Sequence, residues 1–137
     1  MRKYVFLLLI VVLPLVLGGC AVSSQTVNAK LGEEFSLKIG QTAALMNENV
    51  SIAFKEVITD SRCPKGVTCI WPGQVSCLTE VTKDGAINKL VLTLPGLSDP
   101  ATESFNGYKV AFNVTPYPEA GKQIAQDEYR LVLTVSK

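Results

Sequence analysis

From Glu33 to its C-terminus this chain places apolar residues at every second position, in short runs separated by turn formers. A period of two puts alternate side chains on opposite faces of an extended strand, so each run has one apolar face that must be covered. Phe35, Leu37 and Ile39 make the first run, Ala43 and Leu45 a weaker one ending at Asn47-Glu48-Asn49, and Val50, Ile52 and Phe54 the next. The phase slips near Lys55-Glu56 before Val57 and Thr59, as a β-bulge would produce. Val75, Cys77, Thr79 and Val81 lead into Asp84-Gly85, a strong hairpin signal, and Leu90, Leu92 and Leu94 return from it. Tyr108, Val110, Phe112 and Val114 form the next run, and Tyr129, Leu131, Leu133 and Val135 the last. No segment sustains a helical period. Seven or eight short strands, each with one apolar face, predict an all-β domain: a single antiparallel β-sandwich, immunoglobulin-like, or a partly open barrel.

The first nineteen residues follow another pattern. Arg2 and Lys3 give a positive start, Tyr4 to Leu17 an apolar run broken only by Pro14, and Gly18 and Gly19 precede Cys20. Fourteen helical residues rise only about 21 Å, short of a hydrocarbon core of about 30 Å. The three parts are those of an export signal. The stretch Leu17-Gly18-Gly19-Cys20 resembles the lipobox of bacterial lipoproteins. That resemblance implies a signal peptide at 1–19 that is removed, a Cys20 thiol carrying diacylglycerol, and a new amine that is often acylated, with palmitate as the type of chain. Two or three acyl chains anchor stably where one does not. The expected location is therefore extracytoplasmic, on the cell membrane or outer membrane, with the bilayer a partner through Cys20. The small, polar stretch after Cys20 predicts a flexible tether over residues 20–32, ahead of a domain at 33–137.

Once the leader is subtracted, eleven basic side chains face twelve acidic ones, a mature balance of −1. The lysines are scattered singly, which gives no basic face for nucleic acid. Histidine is absent. This removes the commonest general base, the Ser-His-Asp and Cys-His arrangements, and zinc sites built on imidazole.

The segment Asp60-Ser61-Arg62-Cys63-Pro64-Lys65-Gly66-Val67-Thr68-Cys69-Ile70-Trp71-Pro72-Gly73 joins two strands. Pro64 and Gly66 supply turn geometry between Cys63 and Cys69, and an exported protein meets an oxidising space, so a Cys63–Cys69 disulfide is expected. Closing so short a ring contributes about 2 kcal/mol in the loop-entropy model. Asp60 is placed to accept hydrogen bonds from the following backbone amides, and Trp71 to pack over the bridge. The pattern DSRCP followed by V-x-C-x-W-x-G resembles a motif of small, mostly uncharacterised bacterial lipoproteins and secreted proteins. The resemblance extends to Pro116-Tyr117-Pro118 and the strand at Tyr129, and implies a shared β fold without an established activity. Two readings of the loop stand side by side. It is a stapled connection that stiffens one end of the sandwich, or it presents Arg62, Lys65 and Trp71 as a recognition surface. Cys77 shares its phase with Val75 and Val81, which points the thiol at the core as a small hydrophobe. The sharper alternative groups Cys63, Cys69 and Cys77 as a soft-metal or redox site.

Three classes of function follow. The first, and the one the sequence favours, is a non-catalytic binding or structural module of the cell envelope, without cofactor, whose partner is an envelope protein or a polysaccharide. The second is the metal or redox role of the three cysteines. The third is a carboxylate-based envelope hydrolase using Glu33/Glu34 or Asp127/Glu128, against which stands the opposite orientation of neighbouring residues on a strand.

Overall fold

The computed structural model describes residues 25–96 and 100–137. The signal segment 1–19 and Cys20 lie outside the described residues. Nine strands follow in chain order: β1 (Thr26–Ala29), β2 (Glu34–Lys38), β3 (Thr42–Leu45), β4 (Val50–Asp60), β5 (Gln74–Lys83), β6 (Ala86–Pro95), β7 (Ala101–Phe105), β8 (Tyr108–Thr115) and β9 (Arg130–Ser136). A short 3-10 turn, Gln126–Glu128, precedes β9. The strands form two sheets, ordered β1-β3-β4-β5-β6 and β2-β9-β8-β7. Each keeps its own two edges, so the domain is a sandwich and not a closed barrel. All pairings are antiparallel except β1 with β3.

The alternation of the sequence becomes the core. β8 buries Tyr108, Val110, Phe112 and Val114, and β9 buries Leu131, Leu133 and Val135, every second residue in each. Facing them, β4 contributes Ile52, Phe54 and Val57, and β5 contributes Val75, Cys77, Thr79 and Val81. The expected phase slip is present. The β4–β5 register shifts between Phe54 and Glu56, and again between Val57 and Thr59, so Phe54 and Val57 both reach the interior. Asp84 and Gly85, at φ 50° and 83°, close a two-residue hairpin between Lys83 and Ala86. Positive φ at both central residues suits the right-handed twist of the flanking strands.

Two strands go beyond the sequence expectation. β1 lies within residues 20–32, where a tether was expected; the first strand among the described residues starts at Thr26, with Ala29 buried in the core. A four-residue edge strand held by its backbone ladder has only Val27 and Ala29 to show, too few for a readable period. β7 shows no alternation because it is exposed along most of its length. Its signal was Asn106-Gly107, a hairpin dipeptide whose residues stand at φ 46° and 84°.

Replacing Phe54 with alanine is expected to cost about 3–5 kcal/mol, the range for a fully enclosed phenylalanine, in equilibrium urea unfolding. Ile87→Ala, at a side chain left 68% exposed, should stay within about 0.5 kcal/mol of wild type. Equal losses at the two positions would contradict the interior described here.

Candidate functional site

The cysteine loop continues the β4–β5 hairpin past its last ladder pair, Asp60 opposite Val75. Ser61 N donates to Gln74 O at 2.8 Å, and Cys63 N donates to Pro72 O at 2.9 Å. Ser61 Oγ both donates to Gln74 O and accepts from Gln74 N. Gly73 holds φ 68°, and a Cβ built on it would sit 1.8 Å from Ser61 O. Only glycine fits there, which accounts for the residue that closes the W-x-G pattern. Cys63 and Cys69 are bonded, with Cα atoms 5.9 Å apart.

The loop then bends onto the β8–β9 connection. Lys65 N donates to Pro118 O at 2.9 Å, and Ala120 N donates to Lys65 O at 3.2 Å. Tyr117 donates its hydroxyl to Gly96 O, drawing in the segment after β6. Gly96 also lies against Pro72, where a Cβ would meet Pro72 O at 1.8 Å.

Beneath the loop sits a buried ion pair. Arg62 is 3% exposed. Its Nε and Nη2 donate to the two carboxylate oxygens of Asp60 at 2.9 and 2.6 Å. Nη1 donates to Val114 O at 2.7 Å and Nη2 also to Pro116 O at 3.0 Å. The guanidinium lies 5.1 Å from the centre of the Tyr117 ring. Asp60 further accepts from the Arg62 amide at 3.2 Å and from the Tyr129 hydroxyl at 3.0 Å. The Asp60 capping role read from sequence is therefore present, within a larger network. Among the described residues no buried side-chain polar atom lacks a partner.

The electrostatics follow from this geometry. Burial pushes the Asp60 carboxyl upward, but the Arg62 hydrogen bonds and charge outweigh it, and the net shift is below the ordinary aspartate value of 3.8. Burial first, and then the Asp60 charge and hydrogen bond, push the Tyr129 phenol up to about 12. Burial likewise raises the Cys77 thiol to about 12. A cleft of about 230 Å³ opens beside the pair, lined by Asp60, Arg62, Pro64, Pro118, Lys122 and Tyr129. The carboxylate in it is held ionised by its partners and the phenol is held protonated, so the cleft offers hydrogen bonding and shape but no group poised to exchange a proton near neutrality.

The expected recognition trio is divided by the fold. Arg62 does not face solvent; it is the buried half of the ion pair, because Asp60 and Arg62, two positions apart on extended backbone, share the inward face. Lys65 is exposed. Trp71 is 79% exposed, so it stands off the disulfide and does not cover it. Two neighbours the sequence reading passed over, Ile70 at 92% and Val67 at 51% exposed, join Trp71 in an apolar tip on the loop's outer side. Their signal was the presence of large aliphatic residues in a turn segment with no strand period to bury them. Cys63, Cys69 and Cys77 do not assemble as thiolates, since two are bonded together and the third is buried. The paired carboxylates also stay apart. Glu34 lies opposite Thr134 near the end of β9, whereas Asp127 and Glu128 precede its start, in a 3-10 turn and not on a strand.

No protein-family model, curated protein or solved structure matches the chain.

Arg62→Met is expected to lose about 3–5 kcal/mol, the cost of stranding the Asp60 charge beneath the loop, whereas Trp71→Ala should stay within about 0.5 kcal/mol. Urea unfolding checks both, and a destabilisation at Trp71 matching that at Arg62 would contradict the inward–outward division. A second outcome concerns acid. The folded Asp60 pKa is depressed, so its contribution is present above the unfolded value near 3.8 and is lost as pH falls through the folded value. Stability measured downward from pH 5 should therefore fall more steeply for the wild type than for Asp60→Asn. Parallel profiles would contradict this assignment.

Proposed function

We propose that this chain is an exported, lipid-anchored β-sandwich module of the cell envelope, acting by recognition through its cysteine-loop end and not by catalysis. The observation that carries the reading is the apolar tip: Val67, Ile70 and Trp71 are held in solvent on a loop that is stapled, hydrogen-bonded to the β8–β9 connection and underpinned by a buried ion pair. Rigid loops presenting an aromatic anchor are a recurrent basis of binding surfaces. The leader and the Leu17-Gly18-Gly19-Cys20 stretch support the anchor. The lack of histidine and the fully engaged Asp60 carboxylate support recognition over acid–base chemistry.

The anchor is tested in bacteria expressing the full chain and fed a labelled fatty acid. The wild-type protein should carry the label and sediment with membranes; Cys20→Ser should lose the label and keep an uncleaved or soluble form. Label retained by the Cys20→Ser protein would refute the assignment of the acylated residue.

A further inference from the structure

The start of the domain and the apolar tip belong to the same end of the sandwich. β1 is parallel to β3 and β3 is antiparallel to β4, so β1 enters from the end toward which β4 leaves for the cysteine loop. Across the sheet Thr26 is level with Thr42, Ala53 and Glu80, while Asp60 is level with Val75. Between Glu80 and Val75 lie five steps of β5, about 17 Å at 3.4 Å per residue. Cys20 precedes Thr26 by six residues, a chain that can span at most about 21 Å when extended.

From this match of lengths we infer that the partner of the loop tip is the lipid bilayer that holds Cys20, with Val67, Ile70 and Trp71 entering its interfacial region and Lys65 staying among the headgroups. The inference rests on the anchor reading given above. A tether of that reach keeps the start of β1 close to the bilayer. With the sandwich standing on its loop end, at most a few ångströms separate the base of the loop from the level of Cys20, the loop reaches past that base, and no folded partner protein fits between it and the membrane surface. The chemistry of the tip suits that place. Indole rings favour the membrane–water interface, and aliphatic side chains gain from leaving water there. A lysine beside them can lay its stem along apolar surface and keep its ammonium in the polar layer. The far end of the sandwich is turned away from the anchor, and its β1–β2 and β3–β4 turns carry the Lys30–Glu33 and Glu48–Lys137 ion pairs.

Trp71 is the sole tryptophan of the chain, so native fluorescence reads this contact directly. The experiment uses the mature protein purified from membranes in detergent and reconstituted into vesicles of phosphatidylethanolamine and phosphatidylglycerol. A matched set of vesicles carries bromine on the upper acyl-chain carbons, and mass spectrometry of the N-terminal peptide records acylation of Cys20. The expected result is a blue-shifted Trp71 emission that the brominated lipids quench severalfold more strongly than in a Trp71→Phe, Ile87→Trp protein, whose reporter sits beside the Asp84-Gly85 turn at the other end. Ile70→Asp, at a fully accessible side chain, should abolish most of the Trp71 quenching while the anchor is retained. An acylated protein whose Trp71 emission stays red and unquenched would overturn the inference and leave the anchor reading standing. Equal quenching at both reporter positions would also overturn it. An unmodified Cys20 would remove the anchor reading, and this inference with it.

Discussion

Taking a guanidinium out of water costs several kcal/mol unless a carboxylate and further acceptors replace its hydration shell. The loop end of this sandwich is organised around meeting that demand for Arg62. The carboxylate comes from Asp60, the last residue of β4, two residues earlier; the carbonyl oxygens come from Val114 and Pro116, where β8 ends; the Tyr129 hydroxyl, just before β9, also donates to the carboxylate. The Arg62 side chain thus ties the last residue of β4, in the five-stranded sheet, to the end of β8 in the four-stranded sheet, and Asp60 extends the tie to Tyr129, just before β9. Here the network closes that end, and its members mutually depend: without Arg62, Asp60 keeps its burial and loses its compensation.

The staple works on a different scale. The Cys63–Cys69 bond limits the freedom of a small ring, whereas the ion pair and the Lys65 hydrogen bonds determine where that ring sits relative to the sheets. Gly73 and Gly96 let three backbone segments approach more closely than any Cβ would allow. The inward side of the loop is therefore committed to structure. On its outward side the side chains of Val67, Ile70 and Trp71 are left exposed.

How much of this was legible follows from what periodicity can carry. Alternation over Tyr108–Val114 and Tyr129–Val135 revealed β8 and β9, and the slip at Lys55-Glu56 revealed a bulge, because these features repeat or break a period within one strand; which strands share a sheet is not carried by the period. β1 and β7 escaped because an edge strand is held by its backbone ladder and needs few buried side chains. The loop was found through its cysteines and turn residues, but the fate of Arg62 was misread. A charged residue in a turn segment is exposed unless its hydration is replaced, and two of the replacing carbonyls lie more than fifty positions away in sequence. The nearer clue was local. Asp60 and Arg62 occupy the same face of extended backbone, an arrangement that favours an ion pair wherever that face turns inward.

The exposure of Val67, Ile70 and Trp71 then acquires a physical cause. A slack loop of this composition would fold its apolar side chains onto Tyr117, Ile124 and the neighbouring prolines, since each buried methylene contributes about 0.8 kcal/mol. Here Arg62 and the Lys65 backbone are already bonded to the β8–β9 connection, and the closed ring is too short to swing its tip into the cleft that stays open beside them. The tip is left facing outward because the staple and the loop's hydrogen bonds to the β8–β9 connection fix its direction. A surface pre-organised in this way loses little conformational entropy when something covers it. The rigidity set by the buried ion pair is thus what allows so small an apolar area to contribute to association.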